Sequence, residues 1–169
     1  FNLNNTLYTV LGFDAGKSMD KYYLEKEKNL RYVASLMKDI LNVVNAFHQA
    51  GYLHLDISPD NILIIGEDEG ARVSLIDYNS VHSIEELKSG VNLYCSAKEG
   101  YTAHEELSGD VSCICESSDV YSLAAVFYWL LTGKSLSFYQ RLRKNPPDVR
   151  NSPLLADVPD TVYCQVMLI

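Results

Sequence analysis

The chain has 169 residues, 47% of them apolar and 21% charged, a balance that supports a packed core and excludes intrinsic disorder, collagen-like repeats and a disulfide-stapled miniprotein. Fourteen basic against 22 acidic side chains leave a net charge of −8, which argues against a nucleic acid or an anionic membrane as main partner, since both recruit basic faces. The longest apolar run, Val120 to Leu131, is shorter than the ~20 residues a spanning helix needs, so no membrane segment is expected. Cys95, Cys113, Cys115 and Cys164 lack paired CxxC spacing and read as reduced thiols of a cytoplasmic protein. The first residue is Phe1 with no basic-then-apolar leader, so the chain is expected to be a piece of a longer one.

Taken in order, residues 1–16 predict two short strands around Asn4-Asn5, because TLYTVLGF is rich in β-branched and aromatic residues. From Leu30 to Ala50, the residues Val33, Leu36, Met37, Ile40, Leu41, Val44 and Phe47 recur at three- and four-residue spacing, and Gly51 follows as a stop. That is a long helix packed on one face. Ile62 to Ile65 and Arg72 to Ile76 flank a Gly66–Gly70 turn and predict a hairpin. Between Glu85 and Gly109 no periodicity persists, which predicts a long loop. Residues 119–133 are apolar on all sides and predict a buried helix. A basic stretch with Lys134, Arg141, Arg143, Lys144 and Arg150 then leads through Pro146-Pro147 to an apolar end.

The chemistry concentrates at residues 54–61, where Asp56 and Asn61 stand five apart between a helix and a strand, with Asp77 beyond the hairpin. Carboxylate and amide oxygens at adjacent strand ends suit a hard divalent ion such as Mg²⁺, and a further carboxylate can take a substrate proton. The same Asp56 also reads as a cap or turn residue, and Asp119 as an ordinary acid at a helix start.

HLDISPDNIL, from His54, resembles the HRDLKPENIL catalytic loop of eukaryotic-type protein kinases, and IDYN, from Ile76, stands where their DFG metal motif would be. GYTAHEEL from Gly100 is similar to the GYxAPE end of an activation segment. SSDVYSLAAVFYWLLTGK from Ser117 is similar to the central helix of the kinase C-lobe, and LYTVLGFDAGKSM from Leu7 to the last N-lobe strand and hinge. The resemblance implies an α+β, protein kinase-like fold: a mainly helical C-lobe over 17–169 with short hairpins, and the end of the N-lobe with the hinge over 1–16. Most of the N-lobe, including the Gly-rich loop and the strand lysine, is expected to lie outside the chain.

By the same resemblance Asp56 is the catalytic base, and Asn61 and Asp77 are the Mg²⁺ ligands. The activation segment spans 77–105. Leu11 is the gatekeeper, the backbone from Gly12 to Asp14 meets adenine, and Leu63 presses on the ring; Leu11 and Leu63 read equally well as plain core. His54 takes a packing role, and Asp119 holds the loop from beneath. The implied activity is transfer of the γ-phosphoryl of Mg-ATP to a serine or threonine of a protein substrate, with a catalytic loop nearest to bacterial members of the family.

Four departures bear on activity. Leu55 replaces an Arg that pairs with a phosphorylated loop, and Ser58 replaces the Lys that contacts the transferring phosphate. Tyr78-Asn79 stand for Phe-Gly, and His104 stands for the Pro of APE. Leu55, Ser58 and the missing lysine strand motivate a second expectation, a pseudokinase that binds nucleotide or partners without turnover. A small-molecule kinase of the aminoglycoside or choline type shares the loop but not the GYTAHEE segment or the following helix. Eight acids between Glu85 and Asp119 against Lys88 and Lys98 give that stretch a net charge of −6, which suits substrates with basic flanks or simply a solvated face.

Overall fold

The computed structural model describes residues 2–3, 6–7, 12–25, 29–66, 71–90, 96–137, 149 and 152–156. Strands β1 (Asn2–Leu3) and β2 (Thr6–Leu7) pair antiparallel in the register Asn2↔Leu7, the hairpin expected around Asn4-Asn5. β3 (Lys17–Ser18), β5 (Ile62–Ile65) and β6 (Arg72–Leu75) form a three-stranded antiparallel sheet with β5 in the middle. Gly16 lies so close to β5 that a Cβ there would stand 2.9 Å from the Ile64 carbonyl, so the absence of a side chain lets the chain enter β3 tight against the sheet. β4 (Tyr52–Leu53) pairs with β7 (His82–Ser83).

Helix α2 (Leu30–Gln49) follows its periodicity. Asn29 caps it by accepting from the Tyr32 amide at 2.8 Å, and Val33, Leu36, Met37, Ile40 and Val44 form its buried stripe. Gly51 adopts φ +82 after the Ala50 cap. Leu41, expected on the packed face, is 48% exposed, because it lies about 100° of helix rotation from Ile40, off the stripe. Helix α5 runs Glu116–Thr132 and stops at Gly133 with φ +71. It starts earlier than the expected Asp119, since Glu116 to Ser118 complete its first turn. It is not buried all round: Ser117, Val120 and Ala124 line an exposed stripe, while Leu123, Val126, Leu130 and Leu131 enter the core.

Among the described residues, three short helices have no clear periodic signal in the sequence. α1 (Met19–Glu25) sends Met19, Tyr22 and Tyr23 into the core, with the Tyr23 hydroxyl donating to the Leu130 carbonyl and its ring 5.2 Å from Trp129. α3 (Ile84–Lys88) and α4 (His104–Ser108) replace parts of the expected loop. α3 carries a capping box: the Glu86 amide donates to Ser83 Oγ at 3.1 Å and the Ser83 amide to Glu86 Oε2 at 3.0 Å.

One core cluster joins α1, α2, α5, β5 and β6, and gives residues 54–61 a firm floor through buried Ile57 and Ile62. A second, smaller cluster holds Leu53, Leu55, Leu87 and Ile114, with Ile84 and Val111 at its edge. Leu55, 1% exposed, is therefore a packing residue.

Candidate active site

The loop after β4 is fixed from below by one carboxylate. Asp119, fully buried near the start of α5, accepts from the backbone amides of His54 and Leu55 at 2.9 Å each, and His48 Nε2 lies 2.8 Å from its Oδ2. Charge-assisted bonds of this kind are worth more than neutral ones, and here they hold Leu55 at φ +56, a conformation that costs a non-glycine residue free energy. His54 is fully buried with its ring 5.7 Å from Phe47 and 6.0 Å from Tyr78. Burial lowers its pKa, against the pull of Asp119, the Ile76 backbone and Asp77, so it packs as a neutral ring.

With His54 and Leu55 fixed, Asp56 follows as a buried acid, 9% exposed. Its Oδ1 is buried without a hydrogen-bond partner among the described residues, an arrangement that costs free energy unless another molecule supplies a donor. Burial raises its pKa, offset by Lys98 and Asn61, while Asp77 and Asp60 add to the rise. Asn61 donates from Nδ2 to the Asp56 carbonyl at 2.9 Å, which fixes the amide flip and leaves Oδ1 as the free ligand end. The Ile76 amide donates to the Asn61 carbonyl at 3.0 Å, so β5–β6 pairing sets Asp77 beside Asn61.

Asp77 adopts φ +63 and is solvent-exposed. The Asn61 amide oxygen and the exposed Asp77 carboxylate are hard oxygen donors of the kind that would suit Mg²⁺. Ser58 is buried and donates to Asp60 at 2.9 Å, and Lys98 reaches across from residue 98 to donate to Ser58 Oγ at 2.9 Å while pairing with Asp60. Hydrogen bonds from Lys98 and Ser58 outweigh the effect of burial and hold Asp60 below its ordinary value.

The family model of the protein kinase domain matches residues 1–158. The chain belongs to the protein kinase family. Calcium-dependent protein kinase 27 of Arabidopsis thaliana is 35% identical over 73% of the chain and 22% of its own length. Serine/threonine-protein kinase F of Synechocystis is 27% identical over 89% of the chain and 30% of its length, and Citron rho-interacting kinase of Rattus norvegicus is 25% identical over 97% and 9%. The chain thus spans less than a third of these relatives.

Within this kinase domain the expected site residues Asp56, Ser58, Asn61 and Asp77 come together around the end of the β5–β6 hairpin. Leu63 lies on β5 opposite Ser18 and Ser74, half-buried. Gly12 and Asp14 are exposed, and the Gly16 amide turns back to the Asp14 carbonyl at 2.9 Å. Leu11 lies outside the described residues. Glu105 accepts from Ser118 at 2.6 Å, joining α4 to α5. Of the eight acids in the acidic stretch, Glu106 and Asp119 are buried and give nothing to its surface, so the exposed charge is smaller than the sequence count. No helix among the described residues is long and apolar enough to cross a membrane.

Sequence reasoning missed His48, Lys98 and Glu106. Glu106 is buried on α4, accepts from the Ala103 amide at 3.0 Å through Oε1, and leaves Oε2 without a partner among the described residues. Burial, with Asp119, Glu105 and Asp56 adding to it, pushes its pKa up to about 7 despite the Ala103 bond.

Proposed function

We propose that this chain carries the phosphoryl-transfer centre of an ATP- and Mg²⁺-dependent protein serine/threonine kinase. The observation that carries the reading is the Asp56 carboxylate, held on a pinned loop with a buried, unpartnered Oδ1 beside the Asn61–Asp77 oxygen pair. Asp56 orients the substrate hydroxyl and accepts its proton, a role its raised pKa favours. Asn61 Oδ1 and the Asp77 carboxylate hold Mg²⁺, which supplies charge neutralisation to the phosphates when bound. The backbone from Gly12 to Asp14 meets the adenine edge, with Leu63 against the ring and Leu11 as gatekeeper. Exposed free thiols at Cys113 and Cys115 fit a reducing, cytoplasmic compartment.

The test is incubation of the full-length protein with γ-labelled ATP, Mg²⁺ and a protein acceptor, followed by phosphoamino-acid analysis. Labelled phosphoserine or phosphothreonine is expected. Nucleotide binding without transfer under Mg²⁺ or Mn²⁺ would establish a pseudokinase instead, the reading that Ser58 motivates, and label on a small alcohol but no protein would indicate a small-molecule kinase.

A further inference from the structure

Phosphoryl transfer spreads negative charge over the equatorial oxygens of the moving group, and the protein's main task is to place fixed positive charge there. The Asp56 carboxylate feels two negative neighbours, Asp60 and Asp77, and one cation, Lys98. The catalytic loop itself brings no cation, since Ser58 stands two residues after Asp56. Lys98 arrives from 40 residues away and sets its ammonium 2.9 Å from Ser58 Oγ.

The lysine is delivered by a built turn. Its amide donates to Thr102 Oγ1 at 2.7 Å, and its carbonyl accepts from the amides of Tyr101 and Thr102, both at 3.1 Å. Ser122 of α5 donates to the Tyr101 carbonyl at 2.8 Å. Gly100, at φ +88, sits where a Cβ would be 3.0 Å from the Leu136 carbonyl, so the turn is seated tightly on the segment after α5. A side chain with free rotamers on a mobile loop would pay entropy to reach Ser58; here the backbone portion of that cost is met by the fold. Lys98 spends two of its three N–H donors on Ser58 and Asp60, and its side chain keeps 30% exposure.

We propose that Lys98 is a catalytic residue of this kinase domain: from the activation segment it supplies the cation that position 58 lacks, and its remaining N–H faces the transferring phosphoryl group. The inference rests on the kinase reading above. In the step it serves, the substrate hydroxyl oxygen forms a bond to the γ-phosphorus as the bond from that phosphorus to the β–γ bridging oxygen breaks. The electron pair leaves with ADP, and the hydroxyl proton passes to Asp56. Lys98 neutralises the oxygens of the group in flight and neither gains nor loses a proton.

Steady-state kinetics of the full-length protein, with Mg-ATP and casein and autophosphorylation counted, tests it. Lys98→Met is expected to lower kcat by about 10²-fold with the KM for ATP little changed, Lys98→Arg to keep most of the rate, and the exchange Ser58→Lys with Lys98→Ser to recover it. Wild-type kcat in Lys98→Met, beside a silent Asp56→Asn, would overturn the role of Lys98 and leave the kinase reading intact. A loss that neither Lys98→Arg nor the exchange recovers would mark Lys98 as a turn anchor and also overturn it. A wild type that transfers nothing would refute the kinase reading itself, and the inference with it.

Discussion

Leu55 and Asp77 are the two described non-glycine residues with positive φ, +56 and +63, and they flank the proposed chemistry on both sides. Each such residue costs about 1–2 kcal/mol, which persists only where neighbours dictate the backbone. For Leu55 the dictating group is Asp119. Replacing it by Asn keeps the shape but loses the charge and turns one acceptor into a donor facing an amide N–H. About 3 kcal/mol of stability should go, read as a lower unfolding temperature and faster hydrogen exchange at the His54 and Leu55 amides. An unchanged exchange rate there would show that another contact holds the loop.

Glu106 gives a pH dependence with a definite sign. Its folded pKa of about 7 lies above its ordinary 4.5, so between those values the unfolded chain has released a proton that the folded chain retains. Stability from this group is therefore full below pH 4.5 and is lost as pH rises to about 7, by about 3 kcal/mol in total. Glu106→Gln stays neutral and should gain on the wild type across that window, then hold a constant margin above it. Thermal unfolding at pH 5, 6, 7 and 8 checks this, and a margin independent of pH would contradict it. Asp56, Asn61 and Asp77 were legible because their spacing along the chain is short and patterned. The pairing of His48 with Asp119 and of Lys98 with Ser58 spans 71 and 40 residues, and no local pattern encodes it.

At the scale of elements, periodicity succeeded where it had length to act. α2 offers five turns of stripe and was read almost to the residue, while α1, α3 and α4 have seven, five and five residues, too few for a 3.6-residue period to stand out. Their signals were of another kind: Met19, Tyr22 and Tyr23 at helical spacing, and the Ser83-x-x-Glu86 box. Ser83→Ala should cost about 1 kcal/mol, confined to α3 and visible as faster exchange of the Glu86 amide with transfer activity kept. The second core cluster ties α3 and the 111–114 turn to the catalytic loop through Leu55. Leu55→Ala should then cost about 2–5 kcal/mol by leaving a cavity, with protection lost jointly in α3 and around Ile114. Protection lost only at Leu55 itself would show that the cluster does not act as a unit.

Over the whole molecule, a three-stranded sheet and two long helices bring residues from 54 to 119 to one end of the β5–β6 hairpin. The kinase family was readable from motif order because each motif is local; the site's charge balance was not, because it depends on which acids the fold buries. Two of the eight acids from Glu85 to Asp119 are inside, and the lysine that balances Asp60 comes from the same stretch. The central claim is that this end of the molecule transfers a phosphoryl group with Asp56 as base. The most direct measurement is the rate of transfer from Mg-ATP by full-length Asp56→Asn beside wild type, with Mg-ATP binding followed in parallel by thermal shift. A fall of about 10²–10⁴-fold with the ATP-induced shift retained is the predicted result. Transfer at the wild-type rate would contradict it.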